Sequence, residues 1–223
     1  MAILVADALT KEYGDVVALE DFSLKVNPGE LVALVGHNGS GKSTFLRLVA
    51  GLLEPSDGVL VVANAPAGSL KARAEVSFIP DQPVLYDDLS VNEHIEYVAR
   101  LHGELDWPDR ADALLEVLDL AHRADDLPAQ FSRGLRQKTS LVLGLVRPFS
   151  VLLVDEPFVG LDPHGQHALT ELLVEAASAG AAVLVATHQL SFLEHANRCV
   201  ALRDGHTEFA GKVDVPRIQA LLG

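Results

Sequence analysis

Leu31-Val32-Ala33-Leu34-Val35-Gly36-His37-Asn38-Gly39-Ser40-Gly41-Lys42-Ser43-Thr44 decides the fold. It opens on an unbroken apolar run, Leu31 to Val35, the pattern of a strand buried on both faces of a parallel sheet. Gly36 to Ser43 then fit G-x-x-x-x-G-K-[ST] without a mismatch. From Lys42 to Gly51 the apolar residues Phe45, Leu46, Leu48 and Val49 read as a helix. Strand, glycine-rich loop and helix form the setting in which this motif grips phosphate. Glycines let the backbone curl so that successive N–H groups point inward. The helix start adds the positive end of its dipole. Lys42 supplies an ammonium for the β- and γ-phosphates, and the Ser43 hydroxyl a ligand for Mg2+.

On the N-terminal side the first 26 residues read as β hairpins, ending at the turn Asn27-Pro28-Gly29. On the C-terminal side come a short β unit at Gly58 to Ala63 and a strand at Val76 to Ile79. From about Ser90 to Val146 the pattern turns helical. Ser90 with Glu93 makes a capping box, and helices are expected over Asp109 to Leu120 and Gly134 to Val146. After Ser150, strands at Val151 to Val154, Ala182 to Ala186 and Val200 to Arg203 alternate with a helix at Leu169 to Ala177. Such alternation predicts an α/β fold with a parallel sheet and right-handed crossovers. The helical block in its middle predicts an inserted subdomain.

Leu152-Leu153-Val154-Asp155-Glu156-Pro157 sets two acids at the carboxyl end of a buried strand, where ligands bind in open α/β sheets. Adjacent side chains point to different sides, so the two can divide the work. Asp155 suits a Mg2+ ligand, bound directly or through a water, and Glu156 the group that polarises an attacking water.

The 223 residues are 49% hydrophobic and 22% charged, a globular composition. A net charge of −14 without a basic run argues against nucleic acid as a partner. No stretch approaches the roughly 18 apolar residues of a membrane helix; Thr139 to Val154 is broken by Arg147 and Pro148. The N-terminal residues lack a signal peptide's basic region, so a cytoplasmic location is expected. Cys199 stands alone in an apolar stretch and is expected to be a buried, unreactive thiol.

In this order, and over nearly the full chain, these segments resemble the ABC ATPases. The resemblance implies a P-loop NTPase with a RecA-like core, an antiparallel β subdomain and an inserted helical subdomain. Residues 1–223 would form one domain, with 1–87 and 148–223 the core plus β subdomain and 88–147 the helical part. It implies ATP and Mg2+ as ligands, bound in the cradle Gly36, His37, Asn38, Gly39, Ser40, Gly41, Lys42, Ser43 and Thr44. It implies closure of two subunits head to tail around two ATP molecules, as a homodimer or with a related ATPase. A separate membrane-spanning permease subunit would hold the chain on the inner face of the membrane and choose the cargo.

Phe131-Ser132-Arg133-Gly134-Leu135-Arg136-Gln137-Lys138 corresponds to the family's Leu-Ser-Gly-Gly-Gln signature. Ser132 and Gly134 are retained, while Arg133 and Leu135 depart from it. The variant is similar to that of exporter-type members, which points toward export. By resemblance, Ser132 donates to a γ-phosphate oxygen and Arg133 adds positive charge near the partner's nucleotide. Tyr13 stacks on adenine, Gly160-Leu161-Asp162 joins the two active sites, and His188 senses the γ-phosphate. Where the family has a glutamine after Phe78-Ile79-Pro80, this chain has Asp81 followed by Gln82, and either could serve metal and water. A small-molecule kinase or GTPase is disfavoured by the signature stretch, His188 and the lack of Asn-Lys-x-Asp. Long coiled coils or zinc modules, which mark the non-transport relatives, are missing too. His164 and His167 have no third ligand, and Trp107 reads as a packing residue near a turn at Pro108.

Overall fold

Along the chain, β1 (Leu4–Tyr13), β2 (Val16–Val26) and β3 (Leu31–Val35) lead into α1 (Lys42–Val49). Then come β4 (Asp57–Val62), β5 (Ala65–Pro66), α2 (Leu70–Glu75) and β6 (Val76–Ile79). Three helices follow: α3 (Val91–Leu101), α4 (Trp107–Val117) and α5 (Arg133–Leu145). The chain closes with β7 (Val151–Asp155), α6 (Pro163–Ser178), β8 (Ala182–Ala186), β9 (Arg198–Arg203), β10 (His206–Gly211) and α7 (Val215–Leu222). This is a computed structural model, and it describes residues 1–222.

The strands sort into an antiparallel sheet of order β2-β1-β4-β5 and a second sheet of order β10-β9-β3-β8-β7-β6. In the second sheet β9, β3, β8, β7 and β6 are parallel, and β10 adds an antiparallel edge. The fold is that of a P-loop NTPase, as the glycine-rich loop and the strand–helix alternation predict.

Alternate residues of a strand face opposite sides, and here both sides are covered. Leu31, Ala33 and Val35 pack into a cluster with α3 to α6, while Val32 and Leu34 pack into one with α1 and the antiparallel sheet. That is why β3, β7 and β8 read as unbroken apolar runs. Each fully buried Leu or Val there contributes roughly 1.5–3 kcal/mol of burial. Phe22 of β2 and Phe45 of α1 pack the antiparallel sheet onto the helix with ring centroids 4.5 Å apart. Cys199 on β9 is fully enclosed, and burial pushes its thiol up to about 12, so it packs and does not react.

Helices α3 to α5 join the cluster of the parallel sheet instead of forming a core of their own. The seam runs along α5 and β6. Ser77 Oγ donates to the Gly144 carbonyl at 2.6 Å. A Cβ on Gly144 would run into the Ile79 side chain, so only glycine lets the helix lie this close. Just beyond α5, the buried Arg147 guanidinium donates to the carbonyls of Val76 (2.6 Å) and Ala74 (2.5 Å).

Several boundaries differ from the reading of the sequence. The capping box at α3 is present, with Ser90 N donating to Glu93 Oε2 at 2.7 Å. The turn expected at Pro108 is instead the first turn of α4, where proline's fixed φ and missing N–H cost nothing. Helix α6 starts at Pro163, where the Asp162-Pro163 step marks a helix start, and so extends well before the apolar stretch at Leu169; Asp162 caps it through Gly165 N at 3.0 Å. The sequence pattern does not announce β10 or α7; β10 is mostly exposed and carries no apolar period. Among the described residues no helix is long and apolar enough to cross a membrane.

Candidate active site

β3, β8, β7 and β6 are consecutive neighbours, so the loops after their carboxyl ends emerge side by side. The ladder continues one step past the strands: Glu156 N donates to Ala186 O (2.8 Å) and Thr187 N to Leu34 O (3.0 Å). This aligns Gly36, Glu156 and His188 along one edge.

The cradle needs its glycines. Gly36 has φ +155°, and a Cβ there would fall on the Leu202 carbonyl and the Ser40 hydroxyl. Gly41 has φ +106°, and its Cβ would sit 2.7 Å from the Ala18 carbonyl. Gly41 is also the N-cap of α1 and carries no side-chain cap. The first-turn amides therefore remain available to an anion, which the helix dipole favours. His37, Asn38 and Gly39 form the exposed tip, whereas Ser40 is buried with no partner for its hydroxyl among the described residues. Thr44 follows on α1, half-buried.

Lys42 lies 5% exposed. Its Nζ donates to Gly36 O (2.8 Å) and His37 O (3.2 Å) and stands 3.7 Å from Glu156 Oε1. Burial pushes the ammonium below its usual 10.5, while Glu156 and Asp155 pull it back up. Ser43 Oγ donates to Asp155 Oδ1 at 3.0 Å, bridging the cradle to β7. Asp155 is buried, and burial raises its carboxyl above 3.8. The Ser43 hydrogen bond opposes that rise, and the charges of Glu156 and Asp81 add to it.

Glu156 adopts φ +46°, a left-handed conformation uncommon for a residue with a side chain. Its Oε2 accepts from His188 Nδ1 (2.8 Å) and His188 N (3.3 Å). Its Oε1 is buried without a hydrogen-bond partner among the described residues. An unsatisfied buried acceptor costs roughly 1–3 kcal/mol, and here it faces the cradle's lysine. The pattern fits a carboxylate held ready for a water. His188 is exposed, so one edge of its ring holds Glu156 while the other is open to a ligand.

Half-buried Asp81 accepts from Arg133 Nη2 at 3.1 Å, while Gln82 is exposed. Ser132 caps α5 by accepting from Leu135 N at 3.3 Å. Tyr13 lies exposed at the end of β1, with the Lys11 ammonium 5.2 Å from its ring centroid. His164 and His167 are both exposed, and His167 pairs with Glu171 at 3.3 Å. Hydrogen bonds or ion pairs thus join Ser43 with Asp155, Lys42 with Glu156, Glu156 with His188, and Asp81 with Arg133; Tyr13, Gln82 and Ser132 make no such link.

Among the described residues no three His, Cys, Asp or Glu side chains converge as a ready-made metal cage. That suits Mg2+, which keeps waters and takes one or two protein oxygens beside the phosphates. Ser43 and Asp155 supply such oxygens, and a dication would offset the burial, and the smaller repulsion from Glu156 and Asp81, that raise the Asp155 carboxyl.

Two contacts are not visible in the sequence. A Cβ on Gly134 would sit far inside contact distance of the Gly160 carbonyl, so the start of α5 rests directly on the loop before α6. Lys138, nearly buried, stands 3.7 Å from Asp162 in the same junction. The glycines at 134 and 160 were the available signal. Gly134→Ala should therefore lower stability by about 1–3 kcal/mol and reduce ATP turnover, read from chemical denaturation and phosphate release.

The family model described as ABC transporter matches residues 19–159. The SkfA peptide export ATP-binding protein SkfE of Bacillus subtilis (strain 168) is 35% identical, over 92% of this chain and 87% of its own. A solved ATP-binding subunit of an ABC transporter superposes with a TM-score of 0.91 at 34% identity, covering 99% of this chain and 94% of that one. An ATP-binding cassette solved as a dimer after hydrolysis, with ADP and phosphate bound, gives 0.87 at 26% identity, covering 95% and 99%.

Proposed function

The chain belongs to the ABC transporter family as an ATP-binding subunit and ATP hydrolase, and from that premise we propose that two such subunits close around MgATP and drive export through a separate membrane permease. One observation carries the catalytic part: the Ser43–Asp155 bridge sets Lys42 beside Glu156, whose Oε1 has no partner.

The residues divide the work as follows. The amides of the cradle and the start of α1 bind the β-phosphate. Lys42 leaves the carbonyls of Gly36 and His37 for the stronger acceptors of the β- and γ-phosphates. Glu156 Oε1 orients a water in line with the γ-phosphorus and takes up its proton, while His188 fixes Oε2. Ser43 and Asp155, with Asp81 or Gln82, would hold Mg2+, which when bound neutralises charge on the β- and γ-oxygens. Tyr13 offers its ring to the adenine. Ser132, Arg133 and Gly134 of one subunit face the nucleotide of the other. Loss of the γ-phosphate removes what bridges the halves, and they part.

The partner surface is a groove of about 230 Å³ whose lining includes Phe78, Pro80, Val84, Leu85, Leu143 and Arg147. Around it Val84, Tyr86, Tyr97, Leu101 and Leu105 stand exposed on the loop after β6 and on and after α3. A short amphipathic helix of a permease would cover them. This seats the chain peripherally on the cytoplasmic face of the membrane. The relative SkfE is named for peptide export, which supports the outward direction.

Phosphate release from ATP tests the catalytic reading. It should require added Mg2+, stop with a chelator, and fall by at least about a hundredfold in Lys42→Ala. Turnover that survives both would contradict it.

A further inference from the structure

The ion pair between Asp81 and Arg133 joins two residues whose proposed partners lie on two different nucleotides. Asp81 follows β6 and is close enough to Asp155 to raise its carboxyl. Arg133 opens α5, 52 residues further on. The carbon stem of Arg133 also rests on Gly160, with Cγ and Cδ near the place of a Cβ there (3.4 and 3.6 Å). One side chain thus touches the loop after β6 with its guanidinium and the loop before α6 with its stem.

We infer that Arg133 is a positioning residue that serves as a stand-in for the metal: it neutralises Asp81 until a nucleotide-bound dication takes its place, and only then is freed toward the second subunit. This deepens, and rests on, the metal and cross-subunit roles proposed above. Three facts support it. Asp81, Asp155 and Glu156 form a crowded acidic edge, and an additional cation lowers their mutual repulsion. The guanidinium reaches Asp81 at 3.1 Å while the stem lies on Gly160, so the charged end can leave without the stem moving. Its side chains are 36% and 59% exposed, so it is weak enough to exchange; a pair this open biases an equilibrium at most about fivefold. A dication beside phosphate is the stronger counter-charge for the carboxylate and displaces the guanidinium. Arg133 is then held only by its stem on Gly160 and can swing outward.

ADP titrations, with Mg2+ and with excess chelator, test this by calorimetry. ADP lacks the γ-phosphate that bridges two subunits, so the cross-subunit role of Arg133 stays out of the measurement. Arg133→Gln should tighten binding with Mg2+ about two- to fivefold, leave metal-free ADP binding unchanged, and lose its gain in the Asp81→Asn background. Arg133→Lys should return affinity toward wild type. No gain in Arg133→Gln, or a gain that persists in Asp81→Asn or without metal, overturns the inference while nucleotide binding stands. If Mg2+ does not tighten ADP binding even in wild type, the metal assignment falls and the inference with it.

Discussion

Glu156→Gln lowers the rate of phosphate release about a hundredfold to ten-thousandfold while ATP continues to bind. The glutamine side chain has nearly the same shape, so the left-handed backbone at this position and the contact with His188 persist. It removes the negative charge and the capacity to take a proton from water. The Oε1 atom that has no hydrogen-bond partner and faces Lys42 becomes an amide group with nothing to offer a nucleophile as base. The cradle's backbone amides are untouched and Lys42 remains, so nucleotide affinity stays within a few-fold of wild type. With hydrolysis blocked and binding intact, the variant should accumulate as an ATP-bound dimer. Size-exclusion chromatography with MgATP reads this directly; persistent monomers would count against the two-subunit closure proposed above, and undiminished phosphate release would remove Glu156 from the chemistry.

Asp155→Asn should act with opposite sign on the fold and on the reaction. Burial raises the Asp155 carboxyl above 3.8, so its contribution to stability is present below that value and is lost as pH rises through the elevated one. At neutral pH the nucleotide-free protein carries a buried charge that the Ser43 hydroxyl offsets only in part. The asparagine keeps an oxygen to accept from Ser43 and carries no charge. The nucleotide-free variant should melt about 2–4 °C higher than wild type at pH 7, and its stability should be flatter through the acidic range. Metal-dependent nucleotide binding should weaken about 10- to 100-fold, and turnover with it. Thermal melts with and without MgADP measure both effects, and the order of stability should invert when ligand is added. A lower melting temperature for the ligand-free variant would refute the buried-charge account.

The core was legible because its strands are covered on both faces. Leu31 to Val35, Val151 to Val154 and Ala182 to Ala186 carry no polar residue, and a run of that kind has few other places to go. The cradle was legible because glycines at 36 and 41 answer to backbone requirements, which spacing alone reveals. Other elements were hidden for physical reasons. β10 lies at the sheet edge with most side chains in solvent, so it has no hydrophobic alternation to display. The first turns of α6 show no apolar spacing, which begins a turn and a half later, and only the Asp162-Pro163 step marks the start. At the site, the neighbourhood of Ser43, Asp155, Glu156 and His188 followed from their positions after strands, once those strands were known to be adjacent. Residue pairing did not follow. Asp81 and Arg133 are 52 positions apart, and no local pattern announces that one holds the other.

The seam between α5 and β6 has a mechanical consequence. The Ser77–Gly144 bond and the Arg147 clamp both grip the far end of the helix, whereas the end that carries Arg133 bears on the loop before α6 and on the exposed pair with Asp81. From Gly144 back to Arg133 the helix runs roughly 16 Å at 1.5 Å per residue. The clamped end is then a fulcrum and α5 a lever arm. A tilt of about ten degrees at the fulcrum would carry the tip roughly 3 Å, comparable to the 3.1 Å that now separates Arg133 from Asp81.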